Sequence, residues 1–336
     1  MIGQHMDGMQ AGAPRRARAT VEWPTLALMA ACYGLWVLAT LWAAALWLPL
    51  GIALTAVAIT LHSSLQHEAL HGHPFRQPGL NAALVFPALG LFVPYLRFRD
   101  THLAHHQDAK LTDPYDDPES NYLAPRVWNR IAAPLQWVLR LNNTLVGRLI
   151  LGPLISQIAF MRDDWADMRA GDRCVARAWL LHVPAVGLVL IWLLGVSAMP
   201  VWAYLVAAYC GMSILKIRTF LEHQAHERSS HRTVIIEDRG PLALLFLNNN
   251  LHVVHHMHPT VPWYRLPALY TANRPRYLTR NGGYRYRSYE PPRLYRRANL
   301  LKDEPHVYEE AQPPIHGRVP CPRRSAVPGA ARRLCQ

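Results

Sequence analysis

The sequence predicts an all-α, polytopic membrane protein with about four transmembrane helices in two hairpins and a cytoplasmic helical cap. Two observations support this prediction. Apolar residues make up 51% of the 336 residues, and they are concentrated in long, almost uncharged runs. Most of the 18 histidines stand in clusters beside these runs. The cap is therefore predicted to carry the histidine clusters.

The first hairpin is predicted from two apolar runs that follow one another closely. Residues 25–46 carry no charge and are long enough to cross a bilayer as a helix, which takes about 20 residues. Pro49 and Gly51 then interrupt the run. Residues 51–66 continue the apolar pattern directly into the first histidines. Since the intervening turn is very short, the two spans are expected to be antiparallel.

A second hairpin is predicted from residues 178–196 and 201–217, which flank another short turn. The apolar segment 80–96 is too short and too rich in proline to span, so we interpret it as re-entrant or interfacial. Residues 130–160 mix apolar side chains with arginines, a pattern typical of helices that lie at the membrane interface.

The basic residues predict the orientation of the spans. Arg15, Arg16 and Arg18 precede the first span, whereas both hairpin turns are uncharged. The positive-inside rule then places both termini and every histidine cluster in the cytoplasm. We divide the chain into a cytoplasmic tail at 1–22, a membrane domain at 23–272, and a basic Pro/Arg-rich cytoplasmic tail at 273–336 that is expected to be poorly ordered.

The net charge of +13 indicates an anionic partner. The sequence contains no helix-turn-helix pattern, zinc finger or aromatic stacking platform, so we do not expect a nucleic acid. Because membrane spans are predicted, anionic lipid headgroups are the expected neighbours.

The spacing of the histidines predicts metal binding. H-x-x-H-H occurs at 102–106 and again at 252–256. Spacings of three and four place side chains on one face of a helix, and imidazole is a ligand for zinc, copper, iron and nickel. A helix with this pattern can offer imidazoles to two metal ions that lie close together. The isolated histidines His5, His182, His306 and His316 are expected to be structural or incidental.

The stretch HEALH at 67–71 also fits the H-E-x-x-H motif of zinc peptidases, with Glu68 as the base. One zinc with three protein ligands leaves at least eight clustered histidines unused. Two metal ions with about four imidazoles each accommodate them. The sequence therefore favours two oxygen-activating irons, and a membrane zinc peptidase is a less favoured alternative.

The order H-x-x-x-H at 67–71, H-x-x-H-H at 102–106 and N-x-x-x-H-x-x-H-H-x-x-P at 248–259 resembles the integral-membrane fatty acid desaturase and hydroxylase superfamily. The resemblance covers roughly residues 25–270 and implies a non-haem di-iron centre on the cytoplasmic side. The ligands that it implies are His67, His71, His102, His105, His106, His223, His252, His255 and His256. It also implies a water held by Asn248, a role for which Asn249 and Asn250 compete.

Some residues fit the resemblance less closely. His62 and His67 form an H-x-x-x-x-H pair, so the first box has two possible registers. The histidines beyond the usual ligand number are interpreted as alternates or as partners of ligands; they are His73, His226, His231 and His258. Carboxylates suited to accept ring N–H bonds are Glu68, Asp100, Asp108 and Glu222. The turn-rich segment 108–120 is interpreted as a loop that supports the second box or meets the substrate head.

The resemblance implies an enzyme that uses O2 and two external electrons to desaturate a fatty acyl lipid or thioester. Hydroxylation, ketolation or decarboxylation of a lipid or carotenoid on the same scaffold is the alternative, and a non-catalytic metal-binding or transport protein is a third. The five cysteines form no C-x-x-C pair, and no haem or flavin segment is evident. A separate electron donor is therefore implied, a ferredoxin or cytochrome b5-type protein with its reductase.

Overall fold

A computed structural model of the protein describes residues 21–106 and 108–289. The regular secondary structure of the described part is helical except for one two-stranded sheet. Four of its helices are long and apolar enough to cross a membrane. The predicted all-α, four-span fold is therefore confirmed.

The first hairpin consists of α1, Trp23–Leu46, and α2, Leu48–Leu70. Trp47 between them has an extended backbone, which lets the chain reverse over one residue. A π-helical turn at Ala39–Ala43 lies near the end of α1. In this turn the carbonyl of Thr40 accepts hydrogen bonds from residues of the second hairpin's turn, the backbone N–H of Ala198 at 3.1 Å and the hydroxyl of Ser197 at 3.0 Å. The two hairpins are thus joined at this end.

The segment predicted as re-entrant contains a short helix, α3 at Pro78–Leu84, followed by non-helical backbone up to α4, Tyr95–His105. Side chains of the spanning helices bind this backbone. The hydroxyl of Tyr204 donates to the carbonyl of Leu89 at 2.8 Å, and His182 Nε2 lies 2.7 Å from the carbonyl of Leu91. Irregular backbone at membrane depth is tolerated where protein groups satisfy it. His182 therefore has the structural role expected of it.

Four helices then run along the cap side of the bundle; they are α5, Pro125–Trp128, α6, Ala133–Asn142, α7, Leu145–Ile150, and α8, Gly152–Arg169. These helices expose large apolar side chains, among them Leu135, Trp137, Val146, Ile150, Ile158 and Trp165. We name these six exposed residues together the apolar shelf. Such a surface is typical of helices at a membrane interface, in agreement with the prediction for residues 130–160.

The second hairpin consists of α9, Arg173–Gly195, and α10, Val201–Thr219. α10 packs closely against α2. A Cβ atom added to Gly211 would lie 2.9 Å from Cγ2 of Ile59 and 3.2 Å from the carbonyl oxygen of Ala56. Small residues at helix contacts allow this close approach, which is typical of membrane bundles. The close approach also fixes the position of the two helices that lead into the first box and into His223.

The chain after α10 forms a compact C-terminal cap on the histidine side. Its elements in order are β1, Ile235–Ile236, α11, Pro241–Leu245, α12, His252–Met257, α13, Leu266–Ala272, α14, Arg274–Arg280, and β2, Arg285–Tyr286. The two strands are parallel, with Ile235 opposite Arg285. α12 is held beside β1 by a hydrogen bond from the N–H of Val253 to the carbonyl of Val234, the residue before β1, at 3.2 Å.

The predicted boundary between membrane domain and disordered tail is too early. Residues 274–289 form α14 and β2 and belong to the cap, because Tyr277 and Tyr286 are buried against it. The N-terminal boundary is also slightly late, since Glu22 is buried and its N–H donates to the carbonyl of Pro74 at 3.1 Å. The rest of both predicted tails, 1–20 and 290–336, lies outside the described residues.

Candidate metal centre

The histidine boxes converge at the cap end of the bundle and form two adjacent groups. The first group contains His67, His71, His102, His106 and His255, and the second contains His105, His223, His252 and His256. Within each group, one nitrogen of every ring lies within 4.8 Å of the corresponding nitrogen of the others. The structure thus brings together all nine residues predicted as ligands. That they bind metal stays a prediction at this point.

Helical geometry explains how each H-x-x-H-H motif serves two groups. On a helix, residue i+4 lies about 40° from residue i, whereas residue i+3 lies about 60° away on the other side. On α4, His102 and His106 accordingly share the first group, and His105 points to the second. α12 shows the reverse division, because two of its histidines join the second group and His255 joins the first.

The shortest separations between ring nitrogens match those of neighbouring ligands on one metal ion. In the first group His106 Nε2 lies 3.0 Å from His102 Nε2 and 3.2 Å from His255 Nε2. In the second group His223 Nε2 lies 2.9 Å from His105 Nε2 and 3.1 Å from His252 Nε2. Metal–nitrogen distances of about 2.1 Å place adjacent ligands roughly 3 Å apart. Each group therefore has the dimensions of a metal site.

Oxygen atoms on the outer side of three rings fix the tautomer. The contacts are His105 Nδ1 to Asp117 Oδ1 at 2.8 Å, His102 Nδ1 to Glu119 Oε1 at 3.1 Å, and His252 Nδ1 to Asn249 Oδ1 at 2.9 Å. An oxygen acceptor places the proton on Nδ1, so the lone pair of Nε2 points into the group. These three rings are oriented as metal ligands require.

The loop after the second box carries two of these acceptors. Asp117 is buried, and its carboxylate also accepts from the N–H of Thr112 at 2.8 Å and the N–H of Glu119 at 2.9 Å. Because Asp117 contacts the second group and Glu119 the first, this loop links both. The structure therefore confirms that segment 108–120 supports the second box. Sequence reasoning named the loop but missed both residues, although its density of acids was a signal.

The carboxylates named as ring acceptors mostly have other partners. Glu68 accepts a hydrogen bond from the N–H of Trp263 at 3.2 Å, and Asp100 accepts one from Arg99 at 2.8 Å. Both assignments are therefore wrong; residue 68 is rotated by about 100° from the ligand before it on the helix. Glu222 lies 3.7 Å from Nδ1 of His252. The side chain of Asp108 lies outside the described residues.

The structure also decides between the two registers of the first box. His62 Nε2 lies 3.2 Å from the hydroxyl of Tyr33, away from both groups, so the first box is 67–71. The other surplus histidines likewise lie outside the two groups. His73 Nδ1 contacts Glu22 at 2.6 Å, the rings of His226 and His231 are 4.8 Å apart, and His258 contacts Tyr277 edge-on.

The three asparagines of the third box have distinct partners. The amide nitrogen of Asn248 donates to the carbonyl of Trp263 at 3.1 Å. Asn249 lies between Glu222 and His252, donating to the former at 3.3 Å. Asn250 donates to backbone carbonyls of the cap. Asn249 is therefore the asparagine that contacts a ring of the groups, and the water-holding role of Asn248 stays a prediction.

The electrostatics favour neutral imidazoles. Burial, together with neighbouring imidazoles, lowers the pKa of His71, His223, His252, His255 and His256 well below the usual value. These rings are neutral at pH 7 and can bind a cation. His105 differs, because burial lowers its pKa but Glu119 and Asp117 outweigh burial and raise the pKa to about 9. A metal ion would displace the proton from this ring on binding.

Two buried nitrogens fit a metal-binding role. Nε2 of His67 and Nε2 of His71 are buried without a hydrogen-bond partner. A buried polar group without a partner costs about 1–3 kcal/mol, which a bound cation would offset. Nine imidazoles in two groups suit iron, copper or zinc. The position of Glu68 argues against a zinc peptidase, since its carboxylate binds the backbone of Trp263.

Comparisons with known proteins agree with this site. The family model described as fatty acid desaturase matches residues 45–288. A beta-carotene ketolase from Paracoccus sp. (strain N81106 / MBIC 01143) is 27% identical over 237 residues, covering 67% of this chain and 76% of the relative. The family match includes all nine histidines of the two groups.

Proposed function

Because this chain belongs to the fatty acid desaturase family, we propose that it is a membrane di-iron oxidoreductase that uses O2 and two external electrons to desaturate a fatty acyl chain. The observation that carries the proposal is the pair of adjacent imidazole groups, one of five and one of four rings. A mononuclear enzyme has no use for two such groups side by side.

Two iron ions held by these groups would supply the activation of dioxygen that an unactivated C–H bond requires. Zinc does not fit this chemistry because it is redox-inert. In the overall reaction, a –CH2–CH2– unit, O2, two electrons and two protons give –CH=CH– and two molecules of water. The two electrons come from a separate carrier, which we propose to be a ferredoxin or cytochrome b5-type protein with its reductase.

The residues of this chain hold and shield the centre. Asp117, Glu119 and Asn249 keep three of the rings in the tautomer that metal binding needs. Seven of the nine rings are buried, which limits the access of water to the site. Exclusion of water suppresses side reactions of an activated oxidant.

The apolar shelf supports a substrate that is dissolved in the membrane. Trp137, Ile150 and Trp165 are each about 60% exposed or more, which is unusual for side chains that face water. This surface suits contact with acyl chains at the level of the headgroups. We propose that the substrate is a fatty acyl lipid or thioester that reaches the histidine groups from this side.

A second candidate is ketolation of a carotenoid, which the name of the Paracoccus relative favours. In that reaction a ring –CH2–, two O2, four electrons and four protons give C=O and three molecules of water. The two candidates share the metal centre and differ in the shape of the substrate that reaches it.

We propose that the histidine groups face the cytoplasm. Basic residues of the spans lie at the histidine end, namely Arg173, Arg177, Lys216 and Arg218, whereas residues 196–200 of the second turn are uncharged. This asymmetry supports the orientation by the positive-inside rule. Reporter fusions after residue 198 and after residue 289 would test it, with the first expected outside and the second inside.

Metal and product analysis test the proposed activity. Protein purified without chelators is expected to contain two irons per chain, and His256→Ala to contain fewer. His226→Ala, outside both groups, is the matched control and should retain both irons. Cells that express the protein should accumulate lipids that have lost two hydrogens. Carotenoids in which two hydrogens are replaced by one oxygen would instead support the ketolase, and one zinc per chain would contradict both.

A further inference from the structure

A small cavity on the C-terminal cap reaches one of the candidate metal ligands. It is lined by Ser229, Ser230, Thr233, His256 and Arg280, among others. His256 belongs to the second histidine group, so the floor of this cavity is part of the candidate metal centre. The cavity therefore borders one ring of the second histidine group.

Two segments form the walls of this cavity. The 3-10 turn at Ser229–His231 lies on one side, and the end of α14 lies on the other. Their contact is close, because a Cβ atom added to Gly282 would lie 2.6 Å from Nδ1 of His231. Asn281 secures the same contact by donating to the carbonyl of Thr233 at 3.0 Å. The cavity thus has fixed walls.

The rim of the cavity is strongly basic. Residues 226–232 and 274–282 together contain five arginines and one glutamate. Four of these arginines are exposed at the surface, and we name three of them the arginine rim: Arg228, Arg276 and Arg280. Arg274 instead binds Glu237 at 2.6 Å, and Arg232 donates to the carbonyl of His226 at 2.7 Å. The rim carries a positive potential directly beside the candidate metal centre.

The arginine rim faces water rather than lipid. Among the described residues, the large apolar side chains that are exposed all lie between 23 and 206, except Leu244. Residues 245–289, which contain α14, expose none of them. An exposed surface without apolar anchors is unsuited to lie in a membrane interface. A soluble partner is therefore favoured.

We propose that the arginine rim is the docking surface for an acidic one-electron carrier protein that reduces the second metal position past His256. This inference rests on the proposed function, which needs two electrons from outside. In each encounter the carrier loses one electron and the metal centre gains one, so two encounters serve each O2. Opposite charges raise the association rate of such short-lived complexes.

The test uses the full-length, iron-loaded protein in a lipid nanodisc and a plant-type [2Fe–2S] ferredoxin as the acidic carrier. Oxidation of the reduced ferredoxin is followed by stopped flow at several salt concentrations. The variant Arg276→Glu/Arg280→Glu is expected to slow the second-order step about tenfold or more at low salt, and to remove most of its salt dependence. The milder variant Arg276→Gln/Arg280→Gln should have an intermediate effect.

The control variant is Arg169→Glu, which makes the same type of charge change at an exposed position on α8. Its ferredoxin kinetics should remain close to those of the wild type. Reduction by dithionite bypasses docking and should proceed equally in all variants that retain iron. Equal slowing in Arg169→Glu and the rim variants, or no slowing in the rim variants, would overturn the proposal.

Two further measurements distinguish docking of the carrier from catalysis and from binding to lipid. Binding of oxidised ferredoxin to immobilised protein tests docking independently of turnover. In one outcome, the rim variants lose the binding of ferredoxin while the wild type oxidises no lipid substrate. That result would support the docking proposal and contradict the proposed function. If the variants instead lose only their association with phosphatidylglycerol vesicles, the rim binds membrane and the docking proposal is wrong.

Discussion

The two histidine groups lie side by side but are built from different halves of the chain. Four of the five rings of the first group come from the end of α2 and from α4, and only His255 comes from the C-terminal half. In the second group the proportion is reversed, and only His105 comes from α4. Each half thus supplies one ring to the other's group, so neither half can complete a site alone.

The two groups also differ in the hydrogen bonds that hold their rings in place. Two rings of the second group bind buried acceptors, His105 through Asp117 and His252 through Asn249. In the first group the acceptor of His102 is the partly exposed Glu119, and Nε2 of His67 and Nε2 of His71 have no hydrogen-bond partner. A ring that is held by the protein is oriented before metal arrives, whereas an unpartnered nitrogen is satisfied only by the metal. We therefore expect the second group to be the more preorganised of the two.

The largest effect on iron content and activity is expected from removing His105 or His255, the two histidines that each half of the chain contributes to the other half's group. His105→Ala and His255→Ala should each reduce the iron content from two to about one per chain and lower activity by roughly 100-fold or more. Iron analysis and Mössbauer spectroscopy would measure this. Loss of both irons in either variant would show that the groups fill only together, and retention of both would contradict the assignment of ligands.

A smaller effect is expected from the acceptors in the loop after the second box. Asp117→Asn should weaken iron binding in the second group by about 10–100-fold, because the tautomer of His105 is no longer fixed. Glu119→Gln should have a weaker effect on the first group, since the Glu119 side chain is 32% exposed. Competition with an iron chelator would measure both affinities.

The matched control for these two variants is Asp116→Asn in the same loop. Its side chain is 46% exposed and lies 3.6 Å from Lys110. Iron binding in this variant should equal that of the wild type. Equal losses in Asp116→Asn and Asp117→Asn would indicate general damage to the loop.

The smallest effect concerns Glu237, which follows β1 in the C-terminal cap. Although burial raises the pKa of Glu237, hydrogen bonds from Arg274, Tyr270 and Arg285 outweigh it and lower the pKa to about 2. A lowered pKa stabilises the fold above the unfolded value of about 4.5, and this stabilisation is lost as the pH falls towards 2. Glu237→Gln should cost about 1 kcal/mol at pH 7, because partial exposure weakens the ion pairs.

Thermal unfolding in detergent at pH 7 and at progressively lower pH would measure this difference. The two proteins should converge as the pH falls below about 4, and the variant should lose iron from the second group before the first. Glu227→Gln, an exposed glutamate of the same cap, should behave as the wild type. A constant difference at every pH would show that Glu237 acts through packing alone.

Local patterns in the sequence predicted the main features of the fold and of the site. Apolar runs predicted the four spans because crossing a bilayer sets a minimum length. Spacings of three and four residues predicted that α4 and α12 would each contribute rings to two groups, since helical geometry is local. The resemblance to the desaturase superfamily predicted the nine histidines that the structure brings together.

Contacts that depend on the path of irregular chain were not predictable in the same way. Asp117 reaches His105 across a turn-rich loop without a regular period. Residues 274–289 belong to the folded cap because β2 pairs with β1, which lies about 50 residues earlier in the chain. Glu68 was misassigned because its neighbour Trp263 is distant in sequence.

At the end of the bundle away from the histidines, the carbonyl of Thr40 accepts two hydrogen bonds from the turn of the second hairpin. The hydroxyl of Thr40 accepts a further hydrogen bond from the indole N–H of Trp192 at 3.0 Å. Lipid offers no water to replace these bonds if they break. The spans are thus expected to tilt as a single unit instead of splaying apart. We therefore expect iron to reach the finished protein from the side of the C-terminal cap instead of from between the spans.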